Sequence, residues 1–108
     1  EDAAEVSARG GSRMTKTEKQ HKTALVELGC MACRRIYGPH SPGPVELHHR
    51  RSGGWGKGSF MTLIPLCHNH HQGAEGIHTY GVKAWERKNG FTQQDLLDDA
   101  LQLLGVTA

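Results

Sequence analysis

Residues 45–71 read VELHHRRSGGWGKGSFMTLIPLCHNHH, and this stretch decides the fold. Val45 to Arg50 has the length and composition of a short strand, and Arg51 to Ser59 is a glycine-rich loop. Phe60 to Leu66 is a second strand, apolar at Phe60, Met61, Leu63, Ile64 and Leu66, with its end set by Pro65 and Cys67. A helix starts near His68 and is interrupted by Gly73 and Gly76. Strand, loop, strand and helix therefore follow one another within thirty-odd residues, and histidines stand at both ends of the unit.

Working outward, Cys67-His68-Asn69-His70 is a C-x2-H pair, and far upstream Cys30-Met31-Ala32-Cys33 is a C-x2-C pair. Ligands at this spacing let one tight turn present both side chains to a single ion. Two such turns complete a tetrahedron, Cys3His here, which suits a closed structural zinc site. His68 is an alternative fourth ligand with a shorter bite, so His70 is preferred. The bland reading is three unpaired buried thiols packing as small hydrophobes. An odd cysteine count excludes a complete disulfide framework, and metal ligation fits a reducing cytosol.

His48, His49, His71 and His78 remain. Neighbours on a regular strand point to opposite faces, so His48 and His49 cannot both ligate one ion; one holds it while the other faces a water. On a helix His70 and His71 diverge by about 100°, which lets His70 serve the zinc while His71 turns to a second ion. Along an unbroken helix His71 and His78 would lie roughly 10 Å apart. Sharing an ion therefore requires a chain reversal, for which Gly73 and Gly76 offer places. If the helix instead continues, Glu75 is the alternative ligand. A purely structural zinc module explains an unliganded histidine beside a ligand histidine less well.

Taken in order, the Cys pair, Glu46-Leu47-His48-His49, the glycine-rich loop, Leu63-Ile64-Pro65-Leu66-Cys67, His70-His71 and Gly76-Ile77-His78 resemble the HNH (ββα-metal) endonuclease motif. The closer resemblance is to phage-encoded Ref-type, RecA-dependent nucleases, over roughly residues 28–80. It implies an α+β fold, a small zinc-stapled ββα-metal domain with flanking helices. It also implies His49 as general base and His48, His71 and His78 as ligands of a catalytic divalent ion, with Mg2+ as the working metal, although imidazole ligands by themselves favour transition metals. The family's middle Asn is replaced by Thr62, whose hydroxyl can make a similar orienting hydrogen bond. Such proteins act on DNA held in a RecA filament, where a displaced-strand loop forms. A RecA-bound DNA substrate and the cytoplasm of a bacterial host are the corresponding expectations.

The rest of the chain supports one domain. Hydrophobic residues make up 36% of 108, and the mean hydropathy is −0.57, a thin core that calls for a staple. Residues 1–14 read as a disordered basic and polar arm ahead of a single domain over 15–108, its core motif about 28–80 and its C-terminal helices about 80–105. Glu1 in place of Met fits a fragment or processed form. Thr15 and Glu18 have capping-box spacing for a helix near 16–28, with Ala24, Leu25 and Leu28 as its apolar face and Gly29 past its end. Gly38, Pro39, Pro42, Gly43 and Pro44 mark a loop from Cys33 to Val45. Tyr80 to Lys88 reads as helical, with Trp85 in the core, and Thr92 with Asp95 caps a last helix through Leu104.

A net charge of +2 permits nucleic-acid binding without demanding it. Arg50, Arg51 and Lys57 around Trp55 form a phosphate clamp with a stacking ring, or a solvated loop. Arg34 and Arg35 have the same two readings. Arg9, Arg13, Lys16, Lys19 and Lys22 form a basic stretch, and His21 and His40 read as surface residues. No run is long enough to cross a bilayer, and no signal-peptide pattern is present. The competing functions are a noncatalytic zinc-bound nucleic-acid module and a homing- or restriction-type HNH enzyme. No recognition helix or additional domain favours the latter.

Overall fold

In a computed structural model, residues 16–39, 43–50 and 60–105 are described. The expected arm over 1–14, its cap Thr15, His40, and Arg51, Trp55 and Lys57 of the glycine-rich loop lie outside the described residues. Two helices lead in, α1 (Lys16–Leu28) and α2 (Met31–Tyr37). They are followed by strand β1 (Glu46–His49), a 3-10 turn at Phe60–Thr62 and strand β2 (Leu63–Leu66). Four helices close the chain: α3 (His68–His71), α4 (Ile77–Tyr80), α5 (Val82–Asn89) and α6 (Gln93–Leu103). The molecule is a small α+β protein with a two-stranded sheet.

The strands pair antiparallel with Glu46 opposite Leu66 and His49 opposite Leu63. β2 is buried at every position, because α1, α2 and α6 pack against it, and a strand covered on both faces has no need to alternate. The second strand is shorter than its apolar run suggests. Phe60 to Thr62 wind into the 3-10 turn, and only the last four residues pair. Leu25, Met31, Ile64, Leu66, Ile77, Trp85 and Leu96 form the centre of the core. Trp85 is fully buried, donates its indole N–H to the Glu75 carbonyl at 2.8 Å and meets Phe91 edge-on at 5.7 Å.

Two local features differ from the sequence reading. The segment after Cys33 is helical as far as Tyr37, and the glycine–proline loop begins only beyond it. Its Arg35 grips Asp99 of α6 through two nitrogens at 2.7 and 3.2 Å and lies over the Phe91 ring, so it ties α2 to α6. Arg34 donates to the Leu28 carbonyl at 3.1 Å. The C-terminal helix does begin on a reciprocal capping box between Thr92 and Asp95. No helix of the described residues is long and apolar enough to cross a membrane.

Candidate functional site

Among the described residues, two clusters of side chains that could hold a metal ion form, one on each side of the His70-His71 step. In the first, both ligand pairs occupy the same place on a helix. Cys30 is the N-cap of α2 and Cys33 its third residue; Cys67 is the N-cap of α3 and His70 its third residue. First helical turns, rather than isolated turns, thus present the ligands. The Cys33 backbone N–H donates to the Cys30 Sγ at 3.3 Å, which holds the first pair in place.

His70 Nδ1 lies 3.8, 3.4 and 3.3 Å from the sulfurs of Cys30, Cys33 and Cys67, and Cys33 Sγ lies 4.0 Å from Cys67 Sγ. The edges of a tetrahedron around zinc are about 3.8 Å between sulfurs and about 3.6 Å from sulfur to nitrogen, given ordinary zinc–ligand lengths. The donor set therefore fits zinc in kind and in size. The electrostatics agree. Burial pushes the Cys30 thiol up, and burial with the neighbouring thiols pushes Cys33 up to about 12, so a compensating cation is what would ionise them. Burial lowers His70, which keeps its ring neutral and able to donate a lone pair. His68 is not in this cluster; it points outward and bonds Glu46.

The second cluster is His48, His71 and His78, whose candidate ligand atoms all lie within 4.8 Å of one another. His48 comes from the buried face of β1, where it is 6% exposed. His71 is the residue after His70, turned to the other side of α3. His78 arrives by a chain reversal between α3 and α4, and glycine makes the reversal possible. A Cβ on Gly76 would stand 2.7 Å from the His71 carbonyl, and one on Gly73 would stand 2.7 Å from the Asn69 Cα. The result is a separation of 3.1 Å between the Nε2 atoms of His71 and His78. Glu75 is not part of the cluster; its carboxylate pairs with Lys88 at 3.0 Å.

Proton positions in this cluster follow from the groups behind it. His71 Nδ1 lies 2.7 Å from Glu46 Oε1, so Nδ1 carries the proton and donates it. In the neutral ring this leaves the lone pair on Nε2, facing His78. A carboxylate behind a ligand imidazole is a common arrangement at metal centres. Bonds from His68 and His71, with Gln72 adding one at 3.2 Å, hold the Glu46 carboxyl down at about 2. Glu46 is thus the partner of both His71 and His68. Burial drives His48 to about 4, and burial also lowers His78, so both are neutral near pH 7.

His49 lines the same cleft without belonging to the cluster. The cleft is about 310 Å³ and is bounded by Leu47, His48, His49, His71, His78, Val82 and Gln93. His49 Nδ1 sits 3.4 Å from the Thr62 hydroxyl, a long contact between the end of β1 and the 3-10 turn, while the Thr62 carbonyl accepts the Arg50 backbone N–H at 2.9 Å. Arg50 is half-buried just past β1. His21 is half-buried against Phe60, outside both clusters. One residue at the site went unnoticed in the sequence: Gln93, whose Oε1 lies 3.0 Å from His48 Nε2. Nothing in a lone glutamine at a helix start signals such a contact.

A family model described as "Recombination enhancement, RecA-dependent nuclease" matches residues 14–105, most of the chain and both clusters. No curated protein matches it.

Proposed function

This chain belongs to the recombination-enhancement, RecA-dependent nuclease family, and from that premise we propose that it is an HNH-type endonuclease that hydrolyses phosphodiester bonds of RecA-bound DNA. The observation that carries the reading is the division of labour among the histidines. His48, His71 and His78 converge, whereas His49, next in the chain to His48, faces the same cleft outside the cluster. The order β1, β2, α3 with histidines at its two ends supports the ββα-metal class.

Zinc would be held by Cys30, Cys33, Cys67 and His70 and would staple the fold. His48, His71 and His78 would hold the catalytic divalent ion, Mg2+ by the family resemblance. When bound, that ion supplies positive charge where a phosphodiester accumulates negative charge during attack. The chain's own work is proton transfer and orientation. His49 takes a proton from the attacking water as the oxygen bonds to phosphorus and the bond to the 3′ oxygen breaks; the 3′ oxygen takes a proton from solvent, leaving a 5′-phosphate and a 3′-hydroxyl. Thr62 steadies the His49 ring from the 3-10 turn that precedes β2. Glu46 keeps the His71 proton on Nδ1.

Arg50, with Arg51, Trp55 and Lys57 of the adjoining loop, would grip the DNA backbone, and the basic arm over 1–14 would add nonspecific affinity to the domain over 15–108. The setting would be the cytoplasm of a bacterial host, with the gene carried by a phage. The test compares the parent with His49→Ala in a nicking assay on RecA-coated DNA with nucleotide and divalent metal. A loss of about 100-fold or more fits a general base. Equal cutting by both removes His49 from the role, and no cutting by either favours a noncatalytic zinc-bound nucleic-acid module.

A further inference from the structure

We propose that Gln93 is a positioning residue of the histidine cluster, fixing His48 as the Nε2–H tautomer from a helix outside the strand–strand–helix unit. The inference rests on reading that cluster as a cation site. His48 Nε2 faces Gln93 Oε1 at 3.0 Å, and an amide oxygen can only accept. A neutral imidazole has one N–H. Placing it on Nε2 satisfies the amide and leaves the lone pair on Nδ1, whereas the opposite tautomer sets two lone pairs against each other in a half-buried cleft.

The position of Gln93 is unusually well held for a polar side chain. It is the first residue of α6, directly after the N-cap Thr92 and inside the capping box in which Thr92 and Asp95 exchange hydrogen bonds at 2.8 and 3.0 Å. Its own backbone N–H, one of the donors a helix start leaves unpaired, is taken by Glu86 Oε2 of α5 at 2.9 Å. α6 in turn packs on β2, the strand paired with β1. Two helices therefore aim one amide at one imidazole. Glu46 does the same for His71, through Nδ1. The cluster is thus oriented on two of its three rings by groups that do not themselves join it, one anionic and one neutral.

The test reads the tautomer directly and needs no nuclease activity. Long-range proton–nitrogen NMR is recorded on ring-labelled chain loaded with structural zinc alone, for the parent, Gln93→Leu and Gln93→Glu. The parent and Gln93→Glu, which keeps an acceptor, show His48 protonated on Nε2; Gln93→Leu shows Nδ1–H or averaged tautomers. A Co2+ titration of the same samples then shows the second site weakened about 10- to 100-fold in Gln93→Leu and restored in Gln93→Glu, the usual span for a supporting residue behind a ligand. His48 protonated on Nδ1 in the parent overturns the proposal even if both variants fail to fold. So does a Gln93→Leu variant that keeps the parent's tautomer and Co2+ affinity. A parent that shows the Nε2–H ring yet cuts no RecA-coated DNA would instead count against the nuclease reading alone.

Discussion

Stripping the zinc proposed for the Cys3His cluster should unfold the chain rather than loosen one corner of it. The four ligands come from the start of α2 and from the β2–α3 junction, segments 34 residues or more apart in sequence. α2 places Met31 and Ala32 in the core and packs on β2 and α6, so releasing it exposes the centre of the molecule. Without the ion, three thiols and an imidazole stay crowded in a partly buried space, with burial holding Cys30 and Cys33 in the protonated form. Binding at structural zinc sites provides about 10–16 kcal/mol of apparent free energy, against about 5–15 kcal/mol for the net stability of an ordinary domain. The first figure matches or exceeds the second, and the core here is thin. Chelation monitored by far-UV circular dichroism should show a cooperative loss of helix, reversed by one equivalent of zinc, and Cys33→Ser should fail to melt cooperatively. For a domain of this size each kcal/mol moves the Tm by about 4–8 °C. A metal-free chain that melts cooperatively within about 5 °C of the zinc-loaded one would refute the reasoning.

The histidine cluster makes two further predictions. Glu46→Gln, and more strongly Glu46→Ala, should weaken binding of a second divalent ion by about 10-fold or more while leaving the zinc in place, as read by Co2+ titration against bound zinc; unchanged affinity in Glu46→Ala would mean the bond to His71 carries no orienting role. Acid should destabilise the fold through His48. Its folded pKa of about 4 lies below the ordinary 6.5, so the unfolded chain binds a proton that the folded chain refuses. The corresponding stability is whole above pH 6.5 and is lost as pH falls from there through about 4. His48→Phe should flatten the fall in urea-unfolding free energy across that window by up to about 3 kcal/mol, and an identical slope in both proteins would contradict the assignment.

The ligand spacing carried the first cluster outright, because C-x2-C and C-x2-H are local arrangements and a helical first turn presents them as readily as an isolated turn. The 100° step between His70 and His71 likewise follows from helix geometry alone, and it assigns neighbouring residues to different clusters. His78 was legible only conditionally. It needed a reversal that Gly73 and Gly76 permit but do not compel, and what decides it is the close approach of Gly76 to the His71 carbonyl, a packing fact. The helix after Cys33 was not legible because the first proline beyond it, Pro39, stands six residues further on, and the anchoring of Arg35 on Asp99 joins positions 64 residues apart.

The partners of the ring nitrogens were the least legible, for a reason that applies beyond this chain. A ligand histidine is recognised by its distance in sequence from other ligands, but its tautomer is set by whatever stands behind it. Here those groups are Glu46, two residues before His48 yet bonded to His71, and Gln93, which reaches His48 from 45 residues away. Strand alternation explains the first: Glu46 and His48 share a face of β1, and α3 lies across that face with His68 and His71 beside Glu46. The second depends on α6 docking against β2, which no local pattern encodes. Orientation of the cluster is therefore a property of the whole fold, and a change at Gln93, on a helix that carries none of the cluster's histidines, should alter affinity at the histidines more than at the Cys3His site.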